Sequence, residues 1–547
     1  MRVVYSEIHQ MDVINYYQKI SKTKTYCLIA ILLTLEFIIF DSYGSHRFTS
    51  IHPRWNDQIQ YLTEAYTGYI SIHADGFLDA IYHSITNPSS QGVLLRTISV
   101  LLFSVVEPSR SAALSLNILG LIAWQLTLFI AISRLTKSPI AWAAFVLPLL
   151  MDGSWIDQPG SAYDFRLDHI AMCAVGVTLS FVLISEGFRS FKWSCLVGLS
   201  IALTILLRFI TSTYFFLILL FVIIWFIFAE DKKIRFRNLL SSLGLVILLV
   251  APVFYIHRLE IWNYYYVGHY TGPESFIRNQ NYSFIKSFYI IVKLLQYDHI
   301  GNFFWIIFLF GIFAYINLRK SIIHLKNVDF IFIYFGLLFV LAPAIILALH
   351  PQLSSVVLSA ICPGVVILVI GIWDILYPKD GFTTRHIYVS GLIFILGFTF
   401  YFQRQTRALI PESTNLEFLK VKNVTSLITT KSNIACVERP RIAVNFISDA
   451  FDAQIMRVMV YEKYHRWVQF EMTLPTGIAE PTDQQILDQL KVSDFIYYTD
   501  TEIINGYPYD KKLYKMRNIV KAWCDKNMRV IKDFNYFEKH IILFQKK

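Results

Sequence analysis

Long apolar blocks separated by short basic connections fill most of the chain, and a polar stretch with alternating apolar positions closes it. A helix needs about 20 apolar residues to cross a bilayer. Blocks of that kind fall at 25–43, 111–135, 138–153, 167–186, 194–211, 212–229, 239–257, 302–318, 329–349, 353–375 and 386–403. They predict a polytopic α-helical membrane protein with about eleven spans. Lys19, Lys22 and Lys24 precede the first block, and no small-residue cleavage site follows it. It therefore reads as a span and not as a removed signal.

Charge gives these spans a direction. With a cytoplasmic N-terminus, the inner connections carry Arg134 and Lys137, Arg189 and Lys192, Lys232, Lys233, Arg235 and Arg237, then Arg319, Lys320 and Lys326, then Lys379 and Arg385. That is the positive-inside pattern. Three longer segments then face outward: 44–110, 258–301 and everything after 404. Within the first, Ile70–Tyr82 and Val93–Val106 are too short or too polar to span and predict helices lying in the interface. Arg96 in the second could snorkel to lipid phosphates. The outer segment 258–301 holds Trp262, Tyr264, Tyr265, Tyr266, His269 and Tyr270. These suit either an aromatic belt at headgroup level or a wall around a sugar or headgroup.

After Phe402 the pattern changes. Strand-like stretches at Arg441–Phe446, Trp467–Met472, Asp494–Tyr498, Val530–Phe534 and His540–Phe544 alternate with helix-like segments. One of these, Thr482–Leu490, opens with Thr482 and Gln485 at capping-box spacing. The reading is a transmembrane domain over 1–403 and an extracytoplasmic α/β domain over 404–547. That compartment permits a disulfide between Cys436 and Cys524.

Composition supports the membrane class. Of 547 residues, 55% are hydrophobic and 16% charged, and the mean hydropathy is +0.48. Soluble proteins run at about 45–50% apolar and about 25% charged. The net charge of +10 is no nucleic-acid signature, because the bases sit in short segments between spans. No Cys/His metal spacing occurs.

Candidate chemistry gathers in two outer stretches. The first is Arg54-Trp55-Asn56-Asp57-Gln58-Ile59-Gln60-Tyr61, with a carboxylate, a guanidinium, two aromatic faces and side-chain amides. Asp57 could act as a general base toward an acceptor hydroxyl or amine, or it could cap a helix from Gln58 to Tyr66. Arg54 and Trp55 suit a phosphate and a sugar face, and Tyr61 adds a second aromatic face. The second stretch runs from Asp152 to His169. Asp164 and Asp168 are four residues apart and would share a helix face. Asp168 opens a span, where an ionisable group suggests function. Both could hold Mg²⁺ or Mn²⁺ through oxygen, or Arg166 could pair with Asp168. Arg208, near the outer end of the fifth span, could meet an anionic headgroup or pair with Asp164 or Asp168. Arg258 and Arg278 are further phosphate candidates, and His350 ends the ninth span on the outer side. The two stretches are expected to face one another over a single site.

This arrangement resembles the GT-C superfamily of integral-membrane glycosyltransferases, and most nearly the bacterial protein mannosyltransferases and aminoarabinose transferases. Asp57, a short way into the first outer loop, matches the position of that family's essential acidic residue. It is followed by Gln58 where the mannosyltransferases carry a Glu. The segments from Glu107 to Ser111 and from Ile132 to Pro139 look like the family's second span and turn, and Asp164 to Asp168 is similar to its second acidic pair. The resemblance implies inverting transfer of a sugar from a polyprenyl-phosphate donor to an extracytoplasmic glycan, lipid or protein acceptor, in a bacterial inner membrane. Asp57, Asp164 and Asp168 would be catalytic, and Arg54, Trp55, Tyr61, Arg166, Arg208, Arg278 and His350 would bind substrate. The alternative is a transporter or flippase of a lipid-linked glycan. It would place its ionisable groups near the midplane, often in repeated halves, whereas these acidic residues gather at the outer ends.

Overall fold

The computed structural model describes residues 24–44, 56–135, 140–151, 162–226, 231–271 and 283–294, helical positions between 363 and 370, and then 440–444, 453–465, 468–472, 482–501, 508–536 and 539–547. The predicted spans 302–318, 329–349 and 386–403 lie outside the described residues, as does nearly all of 353–375. The chain divides into two compact units, Met1–Ser50 and Ile51–Lys547. In the first, helix α1 (Lys24–Gly44) covers the predicted first span.

The second unit opens with three helices in the segment 44–110, expected to face outward: α2 (Asn56–Asp75), α3 (Phe77–Thr86) and α4 (Leu94–Phe103). The interfacial helix predicted over Ile70–Tyr82 is in fact split. Gly76 adopts φ +96°, in open space, a conformation that side-chain-bearing residues rarely reach. One helix ends there and the next begins. Phe77, Leu78 and Tyr82 of α3 and Leu101 of α4 stay exposed, in keeping with an interfacial position. Arg96 does not reach outward. Its Nε donates to the Ser84 carbonyl at 2.6 Å and its Nη2 to that of Asn87 at 2.9 Å. The carbonyls ending a helix lack intrahelical partners, and Arg96 supplies them for α3.

The bundle follows as α5 (Arg110–Leu135), α6 (Ile140–Met151), α7 (Leu167–Ile184), α8 (Phe191–Leu207), α9 (Thr211–Phe226) and α10 (Lys232–Ile256). These occupy the predicted spans from 111–135 to 239–257. Four described helices, α1, α5, α7 and α10, are long and apolar enough to cross a membrane. Helix α7 is enclosed along most of its length, which places it at the centre. Small residues let its neighbours close in. A Cβ on Gly176 would meet the Trp124 ring of α5 at 2.4 Å, and one on Gly198 of α8 would meet the Ser242 backbone of α10 at 2.5 Å. Thr178 of α7 and Ser200 of α8 share a buried hydroxyl contact of 2.6 Å. Between α7 and α8, Glu186, Gly187 and Phe188 all take positive φ. Arg235 donates to the carbonyls of Glu186 and Gly187, and Asn238 to that of Phe188 at 2.9 Å. Arg235 is buried, so this base, expected in an inner connection, braces a turn.

Helix α10 leads into a single turn, α11 (Arg258–Trp262), and a π-helical segment, α12 (Asn263–Thr271), followed by α13 (Phe284–Leu294). Wide helices of the α12 kind often occur at functional sites.

The C-terminal segment carries β1 (Arg441–Val444), α14 (Ala453–Tyr464), β2 (Gln469–Met472), α15 (Asp483–Lys491), β3 (Phe495–Thr499), α16 (Pro508–Asn527), β4 (Met528–Tyr536) and β5 (Lys539–Lys546). The strands order as β2-β1-β3-β5-β4. The first three are parallel, and β5 runs antiparallel to both its neighbours. All five predicted strand positions carry strands. The capping box of α15 forms as expected, with the Gln485 backbone N–H donating to Thr482 Oγ1 at 3.2 Å. Cys436 lies outside the described residues. Cys524 is a free, buried thiol among Met516, Val520 and Met528, pushed up to about 12 by burial and then by Asp525.

Candidate active site

The two polar stretches do meet. Asp57 lies in the first turn of α2, and the helix continues well past the predicted Tyr66. The Asp57 side chain, and all of Arg54, Trp55, Arg278 and His350, lie outside the described residues. One residue on from Asp57, Gln58 is buried, and its Nε2 donates to the Tyr163 carbonyl at 2.9 Å. Asn117, inside α5, holds the same segment from below. Its Nδ2 donates to the carbonyls of Ala162 and Asp164 at 2.9 and 3.0 Å. The second stretch is thus pinned by its backbone between the first outer helix and the bundle.

Asp164 and Asp168 do not share a helix face. Helix α7 begins at Leu167, and Arg166, its N-cap, is extended at φ −122°. Asp164 precedes the helix, and the Arg166 Nε lies 2.8 Å from its carboxylate. Asp168, in the first turn, lies instead 3.1 Å from Arg208 Nη1. Arg208 thus takes one of the pairings expected of it, whereas Arg166 reaches Asp164 and not the Asp168 expected, because the extended cap turns it back along the chain. All four side chains are buried, each residue less than a tenth exposed. Charges so enclosed persist because each has an opposite partner.

Arg208 caps the C-terminal end of α8 in an extended conformation, and its Nη1 also donates to Gln91 Oε1 at 3.2 Å. Gln91 is the hub. The same oxygen accepts the Tyr61 hydroxyl at 2.5 Å, and Gln91 Nε2 donates to the Tyr264 hydroxyl at 2.9 Å. One amide therefore joins α2, the end of α8 and the π-helical α12. Its backbone is clamped as well. Phe209 N–H donates to the Gln91 carbonyl at 2.7 Å, and Val93 N–H to that of Leu206 at 2.9 Å. Between them Gly92 packs so closely that a Cβ would lie 2.1 Å from the Leu207 carbonyl oxygen.

Burial, above all, holds the Tyr61 phenol well above its usual range, with Arg208 opposing. Burial likewise raises Tyr265, again against Arg208. Both phenols stay neutral at physiological pH and can donate hydrogen bonds. Tyr214 of α9 is buried, and its hydroxyl makes no hydrogen bond among the described residues. Arg258 is elsewhere: it folds back on the Tyr255 carbonyl and ring at the exposed end of α10. Among the described residues no three His, Cys, Asp or Glu side chains gather as a metal site.

Tyr61, Asp168 and Arg208 are thus brought into one polar network, and Asp164 and Arg166 form a buried pair just before α7. Gln91 was missed, since a glutamine in a loop gives no local signal. The tyrosines of 258–301 did give one, and Tyr264 uses it.

No family model matches this chain, and no curated protein matches it. Solved structures do. ArnT from Cupriavidus metallidurans bound to undecaprenyl phosphate aligns with a TM-score of 0.57 and 12% identity, covering 94% of this chain and 97% of that one. The same protein in its apo state aligns at 0.51 and 11%, with the same coverage. The chain therefore shares the fold of ArnT over nearly its whole length, in line with the fold that the resemblance implied.

Proposed function

We propose that this protein is an inverting glycosyltransferase that moves a hexosyl or pentosyl group from a polyprenyl-phosphate donor to an extracytoplasmic acceptor. The observation that carries the reading is the ArnT-like fold over 94% of the chain, in a neighbour that binds undecaprenyl phosphate. The buried cluster around Arg208 supports it, since a fixed cation with neutral phenol donors suits a departing phosphate.

In this scheme Asp57 takes the proton from the acceptor hydroxyl or amine. The acceptor atom bonds to the anomeric carbon as the bond from that carbon to the phosphate oxygen breaks, with inversion. The polyprenyl phosphate leaves with the electron pair; Arg208 stabilises it, and the Tyr61 hydroxyl, turning from Gln91, and the Tyr264 hydroxyl donate to it. Gln91 positions all three. Asp168 holds the Arg208 guanidinium, and Asp164 holds Arg166. Arg54, Trp55, Arg278 and His350 complete the scheme as contacts to sugar and phosphate. A divalent cation on Asp164 and Asp168 would have to compete with both arginines, so the scheme gives charge compensation to the arginines. The positive-inside pattern of the connections supports a site and a C-terminal segment on the outer face of the membrane.

The test is transfer of radiolabelled sugar from a panel of undecaprenyl-phosphate-linked hexoses and pentoses to membrane lipids and glycans. Wild type should transfer from at least one donor, and Asp57→Asn at matched folded amounts should not. Full transfer by the variant would remove Asp57 as base. No transfer by wild type from any donor would return the flippase reading to first place.

A further inference from the structure

Glu462 lies far along the chain from every residue in the proposed scheme, yet it touches the scheme's first helix. It stands near the end of α14 in the C-terminal segment. Its carboxylate takes Arg110 two-pronged, with Nε at 3.0 Å and Nη2 at 3.2 Å, and accepts the Tyr66 hydroxyl at 3.0 Å. Arg110 is the first residue of α5, and Tyr66 is fully buried in α2. The Tyr66 ring packs on Phe103 of α4 at 5.6 Å and on Tyr461 of α14 at 5.3 Å. One carboxylate therefore ties the C-terminal segment to the start of the bundle and to the helix that carries Asp57 and Tyr61. Tyr66 follows Asp57 on that helix by about 13 Å at 1.5 Å per residue.

The chemistry favours a firm hold. Two parallel N–H bonds from one guanidinium to one carboxylate are strong and directional. Burial, and after it the Glu462 charge, keeps the Tyr66 phenol neutral and donating. Arg208 and Asp168, by contrast, sit on α8 and α7, which Glu462 does not touch.

We infer that Glu462 is a positioning residue for the transfer reaction. It sets the placement of α2, and with it Asp57 and Tyr61, from the C-terminal segment. The inference rests on the glycosyltransferase reading for its catalytic consequence and on the contacts above for its mechanical one.

The experiment compares full-length wild type, Glu462→Gln, Glu462→Ala and the swapped pair Arg110→Glu with Glu462→Arg in detergent. Deuterium uptake is read in peptides covering 56–75 and 167–184. kcat and donor KM are read with the undecaprenyl-phosphate sugar that wild type uses. Both single variants should raise uptake in 56–75 and leave 167–184 unchanged. Their kcat should fall about tenfold, with donor KM within about twofold, as expected of a small misplacement of reacting groups. The swapped pair should restore the link to α5 alone and leave 56–75 as exposed as in Glu462→Ala, because an arginine at 462 cannot accept the Tyr66 hydroxyl. Unchanged uptake in 56–75 would overturn the inference. So would loss of protection spread over both helices, or unchanged kcat beside an active wild type. A wild type that transfers no sugar would defeat the glycosyltransferase reading, and the exchange arm would still decide whether Glu462 holds α2.

Discussion

The Nη1 of Arg208 lies 3.1 Å from a carboxylate oxygen of Asp168, and both residues are buried. Removing one member of such a pair strands the other, at a cost of about 3–5 kcal/mol. Arg208→Met should therefore lower the unfolding temperature in detergent sharply. Adding Asp168→Leu should restore most of that loss. Transfer should stay absent in both, which separates a structural pair from one the reaction needs.

Gln91 accepts from Tyr61 and Arg208 and donates to Tyr264. Gln91→Ala removes the acceptor of the Tyr61 hydroxyl and one hydrogen bond each from Arg208 and Tyr264; a buried group left unpaired costs roughly 1–3 kcal/mol. The variant should fold with reduced stability and lose at least about tenfold in kcat/KM for donor, the equivalent of about 1.4 kcal/mol. Steady-state kinetics on the purified variant checks this.

Burial raises the Tyr61 phenol above its ordinary value. A phenol raised on folding favours the neutral form. Its contribution to stability is complete below the unfolded pKa of about 10 and is lost as pH rises through the folded value. Tyr61→Phe should accordingly reduce transfer by a constant factor between about pH 6 and pH 9. A pH–rate profile of the variant parallel to wild type is the expected result; a new titration in that window would contradict it.

Asp164 and Asp168 are each engaged by an arginine, at 2.8 and 3.1 Å. A divalent cation would have to compete with both guanidinium groups. Transfer should persist after exhaustive treatment with EDTA, and added Mg²⁺ or Mn²⁺ should not raise it. Loss on chelation, with recovery on one added metal, would assign these carboxylates a cation instead.

A side chain at Gly92 would run into the Leu207 carbonyl at 2.1 Å. Gly92→Ala should destabilise the fold by roughly 1–3 kcal/mol and pull Gln91 away from Arg208. Thermal unfolding and transfer assays should fall together.

Local patterns were legible in the sequence. The apolar blocks became α5, α7 and α10, and the alternating stretches near the C-terminus became strands, because periodicity is a property of neighbours in the chain. The capping box at Thr482 was legible for the same reason. What failed was long-range choice. Arg208 could be placed at the end of a span, but its partner depended on where α7 began, which Arg166 decides by being extended. Arg96 was expected to reach lipid because an arginine on an apolar helix often does. The unpaired carbonyls ending α3, which are its actual partners, become available only once Gly76 and the following turn fold. Glu462 carried no signal, since its partners Tyr66 and Arg110 lie hundreds of residues earlier.

The paired backbone contacts of Gln91 with Phe209 and of Val93 with Leu206 couple two parts of the chain in register. They make the hub and its cation a single heritable unit. Substitutions nearby can be absorbed one side chain at a time. Inserting or deleting one residue in either strip slides both past Tyr61 and Tyr264 at once. Lineages of this protein should therefore vary in length almost anywhere before they vary there, and a gap between Ser89 and Val93 or between Leu206 and Phe209 would mark a homologue that has given up this arrangement of Gln91 and Arg208.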